Sequence, residues 1–550
     1  MLTTLRVLLL PVLNALGPVL MAFAGIMLIP AVYSWTEKDG AVMDFIMGAG
    51  ITAGAGLLLT LTLFRFRQEL TARHGFLLVT LSWALIAAFA AIPLMLHMPE
   101  LGFERAYFET MSCLTTTGAT VLTGLDELPH SMNGWRCFLS WLGGMGIIVM
   151  SVAILPLLGV GGAQVMKAET SGPLKETRLT PRIAETARSL YLIYFGISVA
   201  CAIAYHFAGM HWRDAVMHMM TTVSLSGIAA HDASFGFFNS AAVDAVAVLF
   251  MVICGFSFTL HFVAWRRHDP LVYLRNPEAL AWLGLLLVLV AAATPILYLS
   301  GSASSVPEAL RAAAFSIVSA ASTTGYATSD WSLWPCGLPA VLLLSSAVAT
   351  CAGSTGGGLK MIRVLILIKQ AKREFRLLLY PNAVSPITVG DAAIPNHIVF
   401  AVLGYTLLWS FSVLAGALAL LATGLGSLES WSAAVACITN LGPGLGAVGP
   451  VGNYQGLTAL QLDILTFLMM IGRLEIFTVF VLFARAFWRT CPDAEGGWRL
   501  LRAMSKRRPH DGLLMPDGAT DHVLKRNHSL IKTNGIFTIL LFFLILALSF

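Results

Sequence analysis

The sequence Thr-Thr-Thr-Gly-Ala-Thr at residues 115–120 follows a moderately apolar stretch at 103–113 that is too short to cross a membrane. Similar glycine turns, each after its own short apolar stretch, recur at residues 223–229, 322–328 and 439–444. The central glycines of the four turns are Gly118, Gly227, Gly325 and Gly442, and successive ones are 109, 98 and 117 residues apart. Each turn lies between two long apolar runs. The pattern predicts a helix, a half-helix, a glycine turn and a second helix, repeated four times.

Such a repeat places polar backbone inside a membrane, which limits what it can do. A half-helix that ends within the bilayer directs its C-terminal carbonyl oxygens, with their partial negative charge, toward the interior. Unpaired backbone after it is tolerated only where it lines water or an ion path. Glycine allows the left-handed backbone that lets successive carbonyls face one axis. Four such segments predict a cage of neutral oxygens that replaces a cation's hydration shell, and the lack of carboxylates in the turns favours a monovalent cation.

The composition indicates an integral membrane protein. Of 550 residues, 57% are hydrophobic and 11% are charged, and the mean hydropathy is +0.79, whereas a soluble domain has roughly 25% charged residues. The net charge of +5 forms no basic stripe with interleaved aromatic residues, so nucleic-acid binding is excluded as a main task. The eight cysteines form no CxxC pair and predict neither a disulfide framework nor a zinc site. No HExxH, GxSxG or nucleotide-binding P-loop sequence suggests an enzyme.

Ten apolar runs are long enough to cross a hydrocarbon core of about 30 Å. They occupy residues 7–33, 42–64, 76–97, 136–158, 188–209, 241–265, 279–300, 337–369, 396–422 and 458–488. The loops after the second, fourth, sixth and eighth runs are basic, and the alternate loops lean acidic. Because basic loops stay in the cytoplasm, we predict ten core helices with both core ends cytoplasmic. The first run also fits a cleaved signal peptide. Whether the short uncharged segment at 535–550 crosses the membrane stays open.

These features predict an all-α integral membrane protein with four consecutive helix–P-loop–helix repeats around a central pore, preceded by two extra N-terminal helices. The predicted units are an N-terminal two-helix segment at 1–70, pore repeats at 71–160, 186–268, 278–376 and 395–489, and a basic cytoplasmic tail with a short hydrophobic end at 490–550.

Four runs carry a family resemblance. Two are glycine turns, at 115–120 and at 439–446, where the sequence is Thr-Asn-Leu-Gly-Pro-Gly-Leu-Gly. The others are Trp-Leu-Gly-Gly-Met-Gly at 141–146 and Ala-Gly-Ser-Thr-Gly-Gly-Gly-Leu-Lys at 352–360. With these runs, about residues 1–489 resemble the TrkH/TrkG group of the Trk/Ktr/HKT potassium transporter superfamily. Glycine in all four turns resembles the potassium-selective pattern, although Leu-Ser-Gly-Ile at 225–228 departs from the Gly-Gly-Phe-like run common there.

The resemblance implies a potassium filter and its surroundings. The candidate filter residues are Thr116, Thr117, Gly118, Ser226, Gly227, Thr324, Gly325, Asn440, Leu441 and Gly442. Potassium is the transported ligand, and the implied side-chain ligands are Thr116, Thr117, Thr324 and Asn440. Also implied are a bacterial inner (cytoplasmic) membrane with its lipid, a homodimer, and a cytoplasmic regulatory ring of Rossmann-type subunits that bind NAD or ATP/ADP. No organic cofactor is expected on this chain.

Glycines interrupt the eighth run and predict a break at mid-membrane; they are Gly353, Gly356, Gly357 and Gly358. Each glycine costs about 1 kcal/mol in a helix interior, and unwound backbone there must be buried or line the pore. The resemblance implies that this loop lies beneath the filter and obstructs the path until it moves. The alternative is a glycine-rich stretch that permits close helix packing.

Arg473 lies in the middle of the tenth run, where a charge is costly unless it is paired or faces water. The resemblance implies that it projects into the pore below the filter, as an electrostatic barrier or as a latch on the glycine loop. A structural salt bridge to another helix is the alternative, and a pair with Glu475 is not expected, because residues two apart do not face each other on a helix. Lys360 and Arg363 are expected near the cytoplasmic end, where long cations reach the interface.

The predicted function is therefore potassium uptake through a carbonyl filter that a glycine loop gates. The alternative is a coupled secondary transporter for sodium or an organic solute, since broken helices also build such sites. Against it, the repeats all run in one direction and each brings its own P-loop. The sequence leaves open uniport against proton- or sodium-coupled symport, the potassium-to-sodium preference and the activating nucleotide. His218, His231 and His261 are expected to be structural.

Overall fold

The computed structural model describes residues 2–68, 70–149, 183–348, 350–390 and 392–488. The predicted tail at 490–550 lies outside the described residues, as do the end of the fourth apolar run and most of the basic loop after it. Among the described residues, the regular secondary structure is helical apart from one antiparallel hairpin. Its strands are β1 (Ile387–Val389) and β2 (Ala392–Ile394), with Thr388 opposite Ala393.

Apolar helices pack together at the N-terminus before the repeats begin. Helix α1 (Leu2–Ile26) continues, after a one-residue interruption, into α2 (Leu28–Glu37), and α3 (Val42–Thr62) packs along α1. Glycines allow the close approach: a β-carbon on Gly17 would lie 2.7 Å from the carbonyl oxygen of Gly56. Small residues matter here because the lipid supplies no hydrophobic force between helices, so close van der Waals packing must hold them together.

The four predicted repeats follow in order, each with a long helix, a short pore helix, an irregular segment and a returning helix. The helices are α4 (Ala72–His97), α5 (Gly102–Leu114), α6 (His130–Val149), α7 (Ile183–Phe207), α8 (Trp212–Ser224), α9 (Ala241–Gly255), α10 (Phe258–Arg267), α11 (Val272–Arg275), α12 (Pro277–Leu299), α13 (Val306–Ala321), α14 (Leu338–Val348), α15 (Met361–Leu379), α16 (Asn396–Ala422), α17 (Ser427–Thr439), α18 (Ala459–Arg473), α19 (Ile476–Phe480) and α20 (Arg485–Trp488). Short 3₁₀ turns occupy Phe64–Phe66, Pro99–Leu101, Ser234–Phe237, Trp331–Leu333, Gly446–Val448 and Val481–Phe483.

The pore helices are α5, α8, α13 and α17. Each has an acidic residue in its first turn and no basic residue in its last. An acidic first turn stabilises the positive end of a helix dipole and leaves the negative end unopposed. The negative ends lead directly into the glycine turns. The acidic residues are Glu104, Asp214, Glu308 and Glu429.

The membrane-crossing segments are less regular than the sequence predicted. Within the described residues, six helices are long and apolar enough to cross, and two further pairs are bent, α9 with α10 by 90° and α18 with α19 by 112°. The sequence predicted the sixth and tenth runs as crossings and did not predict the bends within them. The sixth breaks because its backbone bonds to the eighth: the Cys351 N–H donates to Gly255 O, and the Phe258 N–H donates to Gly353 O, both at 3.0 Å. The tenth breaks at Glu475, which has a φ of 60°.

The break predicted in the eighth run is present between α14 and α15. Its glycine loop is tied to the flanking helices, since the Leu359 N–H donates to Ala347 O at 2.9 Å and the Met361 N–H donates to Thr350 O at 3.0 Å. The carboxylate of Glu278, at the start of α12, accepts the Ala352 N–H at 2.7 Å. The interruption is therefore a folded loop within the helix bundle, with much of its backbone hydrogen-bonded by neighbouring helices.

Candidate cation filter

The four glycine turns form one closed ring, taken in chain order. A β-carbon placed on each central glycine would collide with the carbonyl oxygen of the residue just before the next repeat's glycine. The distances are 2.1 Å from Gly118 to Ser226, 2.0 Å from Gly227 to Thr324, 2.0 Å from Gly325 to Leu441 and 2.6 Å from Gly442 to Thr117. The fourth contact returns to the first turn, so the four segments surround one axis. Any side chain at these glycines would enter the ring of carbonyl oxygens.

The backbone of the turns has the same conformation in all four repeats. The central glycines have φ values of 88°, 69°, 86° and 95°, in the left-handed region that disfavours residues with a β-carbon. The residue two positions earlier is also left-handed, with φ between 54° and 58°, at Thr116, Leu225, Thr323 and Asn440. Leu225 and Thr323 were not among the predicted filter residues. The constant two-residue offset from the glycine is the sequence signal that would have found them.

The polar side chains of the turns do not all face the same way. The Thr117 hydroxyl lies 2.7 Å from that of Thr115 and accepts from Asn440 Nδ2 at 2.9 Å, and the Thr324 hydroxyl lies 2.7 Å from that of Ser322. Among the described residues, the Thr116 hydroxyl and the Asn440 Oδ1 atom are buried without a hydrogen-bond partner. Two predicted side-chain ligands are thus engaged within the protein, and two retain an unused oxygen.

Tyrosines that the sequence analysis did not select support the third and fourth turns. The Tyr454 hydroxyl donates to Gly442 O at 2.7 Å, and its N–H donates to Thr120 O at 2.9 Å. The hydroxyl of Tyr326, directly after Gly325, lies 2.6 Å from that of Thr221 on α8. Each tyrosine therefore links two neighbouring repeats. No spacing rule would have identified these residues, because their partners are far away in sequence.

The glycine loop of the eighth run lies directly against the ring. A β-carbon on Gly357 would lie 2.1 Å from Thr439 O, and one on Gly356 would lie 3.0 Å from Ser322 O. The Gly357 N–H donates to the Thr323 hydroxyl at 2.8 Å, and the Thr355 hydroxyl donates to Val223 O at 3.0 Å. The loop therefore contacts the ends of three of the four pore helices.

Arg473 contacts this loop. Its Nη1 atom donates to Thr355 O at 2.7 Å, while Nε and Nη2 are buried without partners among the described residues. The side chain is only 3% exposed. Glu475 instead binds Arg363, at 2.8 Å. Arg473 therefore contacts the glycine loop, and its neighbour Glu475 contacts a different cation.

Lys360 and Arg363 bond within the protein beside the loop, where Lys360 is half-buried and Arg363 is buried. Lys360 Nζ donates to Gly356 O and lies 3.3 Å from the hydroxyls of Thr350 and Ser354. Arg363 is 4% exposed and pairs with Glu475 across the break in the tenth run. Unwound backbone exposes carbonyl oxygens, and buried cations satisfy them where water cannot; the sequence pattern gave no sign of that need.

A cluster of titratable side chains lies beside the second turn, on the side that the charge pattern predicts to be outside. It borders a cavity of about 200 Å³. His231 Nδ1 pairs with Asp126, and its Nε2 lies 3.7 Å from Asp214. Burial alone would lower the pKa of His231, but the two carboxylates outweigh burial and raise it. The His218 ring stacks 6.0 Å away, with its Nδ1 bonded to Asp214 O.

The chain matches known transport proteins over most of its length. The family model described as TrkH, cation transport protein, matches residues 49–490. A Trk system potassium uptake protein TrkH from Halomonas elongata is 44% identical over 483 residues, which are 87% of this chain and 99% of that protein. The TrkH of Escherichia coli K12 is 42% identical over 474 residues, 86% of this chain and 98% of that one. The crystal structure of the potassium transporter TrkH from Vibrio parahaemolyticus matches with a TM-score of 0.81 and 39% identity, over 87% of this chain and 99% of that one.

Proposed function

The chain belongs to the TrkH family of cation transport proteins, and from that premise we propose that potassium crosses the membrane through its ring of glycine turns. The protein is a potassium uptake protein and not an enzyme, like the relatives that it matches. The observation that carries the filter proposal is the closed ring. A β-carbon built on each central glycine would lie 2.0–2.6 Å from a carbonyl oxygen of the next repeat.

The ring acts as a neutral substitute for water. A potassium ion that enters the ring exchanges its hydration shell for backbone carbonyl oxygens. Four pore helices direct their partially negative ends at the same place, which favours a cation without any carboxylate at the ion. Because the attraction is made of partial charges, a monovalent cation can enter and leave again.

The predicted side-chain ligands divide into two roles. Thr116 and Asn440 each bring a buried oxygen without a partner among the described residues, and these oxygens contact the ion or its last water. Thr117 and Thr324 use their hydroxyls to bond neighbouring side chains. They serve the ion through their carbonyl oxygens, which lie next to Gly442 and Gly227.

The glycine loop and Arg473 close the path beneath the ring. The loop lies against Thr439 O and Ser322 O at the pore-helix ends, and Arg473 binds its carbonyl at Thr355. The guanidinium adds a fixed positive charge where a cation would leave. Opening requires that this hydrogen bond and the bond between Gly357 N–H and Thr323 break together.

The membrane potential supplies the driving force. A monovalent cation gains about 2.3 kcal/mol per 100 mV on entering a negative interior, so uniport alone suffices for accumulation. The cellular setting is a bacterial inner membrane, with ten core helices and both core ends in the cytoplasm. There the chain forms a homodimer, and a cytoplasmic nucleotide-binding ring moves the loop.

The test is cation flux into proteoliposomes that contain the purified protein. Potassium and rubidium uptake is expected to exceed sodium and lithium uptake. Gly325→Ser should remove this preference, because a β-carbon there would lie 2.0 Å from Leu441 O. Gly301→Ser is the matched control: Gly301 has a similar φ of 75° but has open space around it.

Equal potassium and sodium flux through the unmodified protein would overturn the selective filter. A preference that survives Gly325→Ser as well as Gly301→Ser would mean that the ring does not select. Absence of any cation flux, with the glycine loop deleted, would favour a coupled transporter of another solute.

A further inference from the structure

A buried ion pair lies behind the first filter turn. Glu109, on the pore helix α5, and Arg136, on α6, are 2.8 Å apart and have side chains that are 0% and 1% exposed. Removing two charges from water is costly, and good pair geometry together with further hydrogen bonds offsets that cost. The partners of this pair are therefore informative about its task.

The carboxylate of Glu109 holds the chain just beyond the filter glycine. It accepts the Val121 N–H at 2.9 Å and the Thr120 hydroxyl at 3.0 Å. Thr120 is two residues after Gly118. The pore helix is therefore hydrogen-bonded to the segment that follows its own glycine turn.

The guanidinium of Arg136 forms hydrogen bonds to both the first and the second turn. Nη1 donates to Ala229 O at 3.3 Å, and Nη2 donates to the Thr120 hydroxyl at 3.2 Å. Ala229 is two residues after Gly227, the position that matches Thr120 after Gly118. Asn133, which accepts from Nη1 at 2.9 Å, donates to Ala230 O at 3.2 Å. One side chain therefore connects equivalent points of two adjacent turns.

The link between the first two turns differs in chemistry from the links made by the tyrosines. Tyr454 joins the fourth turn to the first, because its hydroxyl donates to Gly442 O and its backbone N–H donates to Thr120 O. Tyr326 joins the third turn to α8 through its hydroxyl, and all of these groups are neutral. The first and second turns are joined through a charge pair. Because the pair is neutral as a whole, it fixes the backbone and adds no net charge near the ion.

We propose that the Glu109–Arg136 pair sets ion selectivity by fixing the separation between the first and second filter turns. This inference rests on the proposed function, since it assumes that the ring is the filter. Glu109 and Arg136 are positioning residues, which act on the ion only through the backbone of Gly118 and Gly227. If the pair is disrupted, the two turns separate or move more freely, and the ring accepts sodium, a smaller ion, more readily.

A second pore-helix ion pair provides the matched control. Arg311 on α13 donates to Asp244 on α9 at 2.7 Å, with side chains 37% and 4% exposed. Within the described residues its hydrogen bond joins two helices and includes no residue of a glycine turn. Asp244→Asn and Glu109→Gln make the same chemical change, but only Glu109→Gln weakens the hold on a filter turn.

The experiment compares Glu109→Gln, Arg136→Lys and Asp244→Asn with the unmodified protein in proteoliposomes, with rubidium and sodium uptake measured in parallel. Glu109→Gln is expected to lower the ratio of rubidium to sodium uptake by about fivefold or more, the scale on which contacting residues couple. Arg136→Lys keeps the charge but loses the several fixed N–H donors of the guanidinium. Its uptake ratio should therefore lie between those of the unmodified protein and Glu109→Gln. Asp244→Asn should leave the ratio unchanged. A Glu109→Gln protein with the original ratio overturns the proposal.

Thr120→Val tests the proposal if Glu109→Gln does not fold. It removes the hydroxyl that both members of the pair contact and leaves the charges balanced. The ratio should again fall, and an unchanged ratio overturns the proposal. Potassium-dependent thermal stabilisation of each detergent-solubilised variant gives a readout independent of flux, because an ion that binds the folded state raises its stability. Failure of the unmodified protein to discriminate between the ions would instead count against the proposed function.

Discussion

The ring of glycine turns and the glycine loop against it are both irregular backbone within the helix bundle, but they are held differently. The ring repeats one conformation four times, and each turn abuts its neighbour at a glycine. The loop occurs once and is held by unlike side chains, among them Arg473, Lys360 and Glu278. Repetition suits a site that must keep one geometry, whereas a set of separate hydrogen bonds suits an element that must be released.

A glycine-to-alanine substitution should alter ion selectivity in the ring but only the rate of flux in the loop. This is the largest effect that we expect. Gly442→Ala would place a β-carbon 2.6 Å from Thr117 O in the ring, and Gly357→Ala would place one 2.1 Å from Thr439 O under it. Gly442→Ala should lower the potassium-to-sodium flux ratio about tenfold, which is about 1.4 kcal/mol between the ions. Gly357→Ala should change the potassium flux and keep the ratio. Loss of selectivity in both proteins would show that the loop is part of the filter.

Arg473→Gln should sharpen the comparison by releasing the loop while the ring stays intact. The variant loses the hydrogen bond to Thr355 O and the fixed charge below the ring. A hydrogen bond to a charged group contributes about 1.5–3 kcal/mol, so potassium flux without regulatory subunits should rise about tenfold. Arg473→Lys, which keeps the charge, should give a smaller rise. The measurement is rubidium uptake at fixed membrane potential, and a reduced uptake in Arg473→Gln would contradict a barrier role.

Glu278→Ala should loosen the loop at its base. Its carboxylate is 3% exposed and accepts the N–H groups of Ala352 and Ile362 at 2.7 and 3.1 Å. Each buried N–H left without a partner costs about 1–3 kcal/mol, so the Tm in detergent should fall by several degrees while selectivity is retained. Glu308→Ala is the control, since Glu308 lies in the first turn of α13 and its bonds to Ser304 are exposed. Equal decreases of Tm in the two variants would mean that the hydrogen bonds of Glu278 to the loop do not contribute to stability.

The smallest expected effect concerns pH at the cluster beside the second turn. His231 is faced by Asp126, Asp214 and the ring of His218, and its pKa is raised. A raised pKa in the folded state means that the stabilisation is complete below the ordinary value of about 6.5 and is lost as the pH rises through the raised value. Partly exposed ion pairs contribute about 0.2–1 kcal/mol, so Tm should fall by about 1–2 °C over that interval.

His231→Gln is the variant that isolates this pH effect. Its Tm should be lower than that of the unmodified protein at acidic pH and should converge with it in alkaline solution. The comparison uses thermal unfolding followed at a series of pH values in one detergent. Parallel profiles of the two proteins would show that the ion pairs of His231 do not contribute, and that another group produces any slope.

The repeat, the four glycine turns and the break in the eighth run could be predicted because each is a local requirement of backbone chemistry. Glycine at Gly118 and at its three counterparts is needed for a left-handed φ and a close carbonyl, and three successive glycines at 356–358 cannot continue a helix. Membrane insertion and the family resemblance also follow from composition and short runs. These features are visible in sequence because their causes lie within a few residues.

The tertiary structure alone decided how those segments are held. It paired Glu109 with Arg136, turned Lys360 inward to Gly356 O, and bent the sixth and tenth runs where they meet the glycine loop. The partners in each case lie on different helices, or become neighbours only because the loop folds back. Burial in a low-dielectric bundle makes every unwound carbonyl and charge find a partner, and which partner it finds depends on packing in three dimensions.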